Sequence, residues 1–176
     1  MNFSKRKTSI LLAKHSKHMI KLRYDHYKGK LLKISTKGRY ALQMLLDLAE
    51  HKNDGFIALK EIAERQKISK QYLEQIIAII NNSRILRVNR GKQGGYMLAK
   101  EPSEITVGYV LQITEGNLSC TSCLDGEVNN CNLTESCKTL FIWKELNKVI
   151  ADYLNSVTLQ DILNKHQDID DFDYGI

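Results

Sequence analysis

"LKEIAERQKISKQYLEQIIAII", residues 59–80, decides the fold. Leu59, Ile62 and Ala63 fall on one face of a short helix. Lys67-Ile68-Ser69 interrupts it, and Leu73, Ile76, Ile77 and Ile80 then line the inward face of a longer helix. Ser69 is placed to cap that second helix. Ile68 and Leu73 stand at the two positions of a hydrophobic staple, which fixes the angle at which the chain enters it. A short helix, a tight break and a longer capped helix make a helix-turn-helix.

The flanks extend this unit on both sides. Upstream, Ser35 can cap a helix whose apolar face is Ala41, Met44, Leu45 and Leu48, and Asn53-Asp54-Gly55 supplies the turn that ends it. Downstream, "ILRVNRGKQGGYMLAK", residues 85–100, alternates Leu86 and Val88 with Arg87 and Asn89, turns through glycines, and alternates again at Tyr96 and Leu98. That is a β-hairpin with a basic, glycine-rich tip. Three helices and a hairpin predict a winged helix, so the chain is mainly α with one small β-hairpin wing.

Beyond Pro102, Thr106 can cap a short helix carrying Val107, Val110 and Leu111 and ending at Gly116. A long helix is expected from near Thr134. Its Ile142, Leu146, Val149 and Tyr153 are spaced by four, three and four, the spacing of a coiled-coil seam. Thr158 is expected to cap a last short helix through Leu163, followed by a frayed acidic tail. The expected organisation is a basic extension (1–31), a winged helix-turn-helix (32–101), a short helix with a cysteine loop (102–133), the long and terminal helices (134–166) and the tail (167–176).

Charge is distributed unevenly over the 176 residues. Residues 1–30 hold nine Lys or Arg and one Asp, a net of +8; residues 31–100 carry +7 and residues 101–176 carry −9. A basic front half points to an anionic partner, nucleic acid first, with a solvated surface as the bland alternative. The run Ile10-Leu11-Leu12-Ala13 is too short for a signal-peptide core or a membrane span. A cytoplasmic, reducing setting is therefore expected, which disfavours disulfides. Three readings stand for residues 1–30: a flexible basic arm, a mitochondrial-type leader, or a segment upstream of the true start. Lys28-Gly29-Lys30 requires a purine-rich codon run resembling a ribosome-binding site, which would place the start at Leu31 or Leu32.

The N-terminal residues of the second helix in a helix-turn-helix reach base edges in the major groove. Here they are Ser69, Lys70, Gln71 and Tyr72, with Glu74 a turn further on. Gln71 can pair bidentately with adenine, Lys70 can reach guanine or phosphate, and Glu74 can accept from a cytosine amino group. Ser69 and Tyr72 can bond phosphate oxygens. Arg87, Arg90 and Lys92 belong to the wing, where a guanidinium suits the negative potential of a narrow minor groove.

All four cysteines lie in "CTSCLDGEVNNCNLTESC", residues 120–137. Disulfides, a zinc site and a redox cofactor all use such a cluster. Cys120 and Cys123 form a C-x-x-C pair, which keeps zinc and dithiol chemistry open. A thiol-disulfide enzyme built on that pair lacks the usual helix N-terminus beside a strand, so no enzymatic activity is expected.

"LKISTKGRYALQMLLDLA", "ISKQYLEQI", "RGKQGGYMLAK", "ITVGYVLQITEG" and the later "WKEL" together resemble the IscR/NsrR/CymR family of bacterial winged-helix transcription regulators, over roughly residues 32–165. The resemblance implies a homodimer, formed through the long C-terminal helix, that binds a palindromic operator in double-stranded DNA, mostly as a repressor. It implies that Arg90 enters the minor groove and that Ser69, Gln71, Tyr72 and Glu74 face the operator, Glu74 at a position that discriminates between operator types. Many members hold a 2Fe-2S cluster through three cysteines, which map here to Cys123, Cys131 and Cys137. Thiolates are the soft anionic donors such clusters require. The chain departs from the pattern at the fourth ligand. Leu140 stands where the cluster regulators have histidine, and Arg39 where nitric-oxide sensors have an aspartate. Cys120 is the obvious substitute. A zinc site, a thiol switch, or a cofactor-free member regulating sulfur or cysteine metabolism through a partner enzyme are the alternatives.

Overall fold

The computed structural model describes residues 33–173 except 92–93, 127–128 and 130, with the backbone alone for 167–173. The readings of residues 1–30, and Lys92 of the wing, lie outside the described residues. In chain order the elements are α1 (Thr36–Glu50), α2 (Leu59–Gln66), α3 (Lys70–Ile80), β1 (Leu86–Asn89), β2 (Gly95–Leu98), α4 (Val107–Glu115), α5 (Leu140–Ser156) and α6 (Leu159–Asp173). The described residues are mainly helical with one antiparallel hairpin, a winged helix-turn-helix.

The local chemistry explains the boundaries. Ser35 Oγ accepts from the Gly38 amide at the start of α1, and Ser69 Oγ accepts from the Tyr72 amide at the start of α3. Between α2 and α3, Lys67 takes left-handed backbone angles (φ 53°), which ends one helix so that the next can turn away. Ile68 and Leu73, the staple pair, are both buried.

Strands β1 and β2 pair Leu86 with Leu98, Arg87 with Met97, Val88 with Tyr96 and Asn89 with Gly95. Leu86 and Leu98 enter the core, but Val88 is 41% exposed, so the alternation anchors only the base of the wing. Ile57 adds a third rung: its amide donates to Tyr96 O at 2.9 Å and its carbonyl accepts from Tyr96 N at 2.8 Å.

One core unites these parts. Met44, Leu45 and Leu48 of α1 meet Ile62 of α2, Leu73, Ile76 and Ile80 of α3, Val110 of α4, and Ile85 and Ile105 from the connecting segments. Leu159, the first residue of α6, is also fully buried there. Its amide donates to Ile105 O at 2.9 Å, and the Val107 amide donates to Val157 O at 2.8 Å. The strand-like pairing of the segments before α4 and α6 draws the C-terminal helix back onto the winged helix.

Two helices differ from expectation. The long helix starts at Leu140 rather than near Thr134. Residues 131–136 instead form tight turns, with Thr134 Oγ1 donating to Cys131 O at 2.6 Å and the Ser136 amide donating to Leu133 O at 3.1 Å. The last helix is not short: α6 runs through Asp173, into the stretch expected to fray. A reciprocal cap starts it, in which the Asp161 amide donates to Thr158 Oγ1 and the Thr158 amide and hydroxyl donate to Asp161 Oδ2. Those hydrogen bonds to Thr158 hold the Asp161 carboxyl below its ordinary value.

Candidate functional site

α3 and the wing enclose an open groove of about 550 Å3, lined by Lys70, Glu74, Ile77 and Asn81 on one side and by residues 88–91 and 94–96 on the other. Ser69, Lys70, Gln71, Glu74, Arg87 and Arg90 are all exposed. Their situations differ. Ser69 Oγ is engaged as a helix cap at 3.2 Å from the Tyr72 amide. Lys70 Nζ and Glu74 Oε1 pair at 3.5 Å across one helical turn. Such an exposed pair contributes at most about 1 kcal/mol, so either group can be recruited by a ligand at little cost. Tyr72 is half-buried, its ring edge-on to Tyr40 with centroids 5.6 Å apart, and so it also anchors α3 to α1. Gln71 and Arg90 are exposed side chains on the helix and wing respectively.

The cysteine loop connects α4 to α5. All four cysteines are free and half-buried. Cys120 is docked on α5: its amide donates to Asn147 Oδ1 at 2.9 Å and its thiol donates to Trp143 O at 3.7 Å. Asn147 Nδ2 donates to Ser119 Oγ at 2.7 Å, and Ser119 Oγ donates to Leu124 O at 2.6 Å, closing the first arm of the loop. Cys123 lies in a single 3-10 turn beside the Thr121 hydroxyl at 3.4 Å. Cys137 sits just before α5, with its thiol 3.6 Å from Thr139 Oγ1. That side-chain hydrogen bond, with backbone amides behind it, lowers the thiol pKa from its usual 9.0.

As donors, four half-buried thiols in one loop suit an iron–sulfur cluster or zinc. Among the described residues, however, no three His, Cys, Asp or Glu side chains lie together as a metal site, so the single chain presents the donors without gathering them.

The exposed seam on α5 is as spaced: Ile142, Val149 and Tyr153 are 44%, 62% and 67% exposed and Leu146 is half-buried, while Phe141 is exposed outside that stripe. No residue of α5 is buried.

Two polar networks were not foreseen from the sequence. Asp47 is buried in α1, where its carboxylate accepts from Arg65 Nε at 2.9 Å, Arg65 Nη2 at 2.7 Å and Gln66 Nε2 at 2.9 Å. Glu115, at the end of α4, accepts from Ser35 Oγ at 2.6 Å and from the Gly38 amide at 3.0 Å. An acid inside the apolar run of α1 was the only signal of the first; nothing local marks the second. No helix among the described residues is long and apolar enough to cross a membrane.

Known proteins are similar to this chain in sequence and fold. Residues 34–165 match the Rrf2 family, described as "Iron-dependent Transcriptional regulator". The HTH-type transcriptional regulator IscR of Pectobacterium carotovorum subsp. carotovorum is 35% identical over 139 residues, spanning 79% of this chain and 84% of that protein. Among solved structures, T. potens IscR is 39% identical with a TM-score of 0.58, covering 77% of this chain and 88% of that one. CymR of B. subtilis, described as the global cysteine regulator, is 32% identical with a TM-score of 0.62, covering 76% and 98%.

Proposed function

The chain belongs to the Rrf2 family of DNA-binding transcriptional regulators, a non-enzymatic family, and from that membership we propose a homodimeric repressor that reads a palindromic operator and senses iron–sulfur cluster status, redox state or nitric oxide through its cysteine loop. The observation that carries this reading is the position of the loop. It leaves α4, which packs in the winged-helix core, and is bonded through Asn147 and Trp143 to α5, which displays the apolar seam.

In this reading α3 lies in the major groove. Gln71, Lys70 and Glu74 meet base edges, Ser69 and Tyr72 meet phosphates, and Arg90 with Arg87 and Lys92 follows the adjacent minor groove. The α5 seams of two chains, Ile142, Leu146, Val149 and Tyr153, pack together and set the spacing of the two reading heads. Cys123, Cys131 and Cys137, with Cys120 as fourth thiolate, would hold a 2Fe-2S cluster, which supplies one-electron redox chemistry and lability towards oxidants. Gathering those thiols requires the loop to leave its present arrangement, in which Cys120 is docked on Trp143 and Asn147. In this reading a cluster-bound loop would differ from the present one at its docking on α5.

A second reading draws on the same scattering of the thiols: a cofactor-free regulator of cysteine or sulfur metabolism that responds through thiol chemistry or a partner enzyme. Anaerobic purification separates the two. The first predicts a red-brown protein with iron and sulfide in about equal amounts, whose affinity for a duplex selected from a random library changes when the cluster is removed. A colourless protein with one zinc per chain, or with no metal, sinks the cluster reading. Failure to enrich any duplex would sink the operator reading as well.

A further inference from the structure

We propose that Glu115 is the positioning residue through which the cysteine loop sets the placement of α1, and with α1 the DNA-reading helix; the proposal rests on the sensing role given to that loop. Glu115 is the last residue of α4. A carboxylate there faces the negative end of its own helix dipole, which is unfavourable. The compensation comes from another helix. Glu115 Oε1 lies at the N-terminus of α1, where it accepts from the Gly38 amide at 3.0 Å and from Ser35 Oγ at 2.6 Å. Ser35 Oγ in turn accepts from the same Gly38 amide at 3.3 Å, so the N-cap and the carboxylate share one donor.

Gly38 is explained by this contact. It lies inside α1 with ordinary helical geometry, where glycine is disfavoured relative to alanine. A Cβ there would collide with Glu115 Oε1 and press on Leu111 Cδ2 at 3.0 Å. The glycine leaves room for the carboxylate to reach the amide.

The latch sits where loop and reading head meet. Gly116, at φ 80°, ends α4 and starts the loop, and Cys120 follows it closely, docked on α5. On the other side, α1 carries Tyr40, whose ring meets Tyr72 of α3 edge-on. The far end of α4 also holds α3: Tyr109 Oη donates to Ser83 O, just past the C-terminus of that helix, at 3.2 Å. A loop rearrangement that pulls on Gly116 therefore displaces Glu115 first, and Glu115 holds the first turn of α1.

The test perturbs the loop without relying on iron. In the metal-free protein, all four thiols are alkylated with N-ethylmaleimide. Exchange of the Gly38 amide and affinity for the selected duplex are then measured before and after. In the wild type, alkylation should speed Gly38 exchange about tenfold and change duplex affinity about fivefold or more. Glu115→Ala should by itself shift duplex affinity towards that of the alkylated wild type, and should lose most of the further change that alkylation produces. Glu115→Gln, which retains an acceptor oxygen, should restore part of that response. A merely structural role would lower stability in Glu115→Ala but leave the response to alkylation intact, and that result overturns the proposal. So does a wild-type Gly38 amide that ignores alkylation. If the wild type responds as expected but binds no cluster, the cluster reading fails and the latch stands.

Discussion

At the residue scale, the most consequential feature hidden from sequence reading is Asp47. Its side chain is fully buried, while Arg65 is about one-third exposed. The fork of the guanidinium and the Gln66 amide together satisfy the carboxylate, and the hydrogen bond to Asp47 raises the Arg65 pKa above its already high value. The network fastens α1 to the C-terminal end of α2, just before the Lys67 break that aims α3. Removing the guanidinium leaves a buried carboxylate with only Gln66. Arg65→Ala should therefore cost about 3 kcal/mol, which for a chain of this size lowers Tm by about 6–12 °C. Replacing Asp47 and Arg65 together by methionines should recover much of that loss, because no unpaired charge then stays behind. Thermal unfolding of the single and double variants checks both. A single variant melting within about 1 °C of wild type would show that the network holds nothing. Periodicity places Asp47 beside the apolar face of α1, but its partners lie a helix away in sequence, so no local pattern could name them.

At the scale of elements, the helix-turn-helix was legible because its signals are local. Caps at Ser35, Ser69 and Thr106, the staple of Ile68 and Leu73, and the i, i+3, i+4 faces all act within one or two turns. What escaped was set by contacts distant in sequence. α5 begins at Leu140 because threonine and serine hydroxyls and tight turns claim the preceding residues. α6 is longer than its composition suggests, and its first residue, Leu159, is anchored in the core of the winged helix. Gly95 shows the same effect in the wing. It reads as a turn glycine, yet it is the first residue of β2 and buried. A Cβ there would strike the Ile57 carbonyl and meet its carbon and nitrogen, all backbone atoms that cannot swing aside. Gly95→Ala should break the Ile57–Tyr96 rung and cost about 1–3 kcal/mol, the usual range for forced overpacking. Amide exchange at Ile57 and Tyr96 should rise more than exchange in α3. Protected amides at both positions would mean that the wing is not held by this rung. The candidate site divides along the same line. The reading helix and wing were visible as motifs, whereas the docking of Cys120 on α5 and the Glu115 latch join residues far apart in sequence, and no spacing rule reports them.

For the whole molecule, the proposed dimer turns on how two winged helices would be held at a fixed separation. The single chain leaves α5 without one buried residue and displays Ile142, Val149 and Tyr153 at heptad-like spacing. Exposed aromatic and aliphatic groups in one stripe are costly in water, and a matching stripe on a second copy is the partner the dimer reading supplies. Val149 is the most informative position. It is 62% exposed, so a charge there costs the isolated chain little, but at the centre of a two-helix seam it would be buried twice, opposite or near its own copy. Val149→Glu should thus leave the thermal transition of the winged helix in place while converting a dimer to a monomer in sedimentation. The link between the reading heads is then lost, and each half-site is bound singly. Because linkage raises overall affinity by about 100-fold or more, binding to a two-half-site duplex should fall by that order, while binding to an isolated half-site should barely change. A variant that stays dimeric would place the dimer contact elsewhere than α5. One that becomes monomeric yet binds the full duplex as tightly as wild type would mean that the two heads do not act together on DNA.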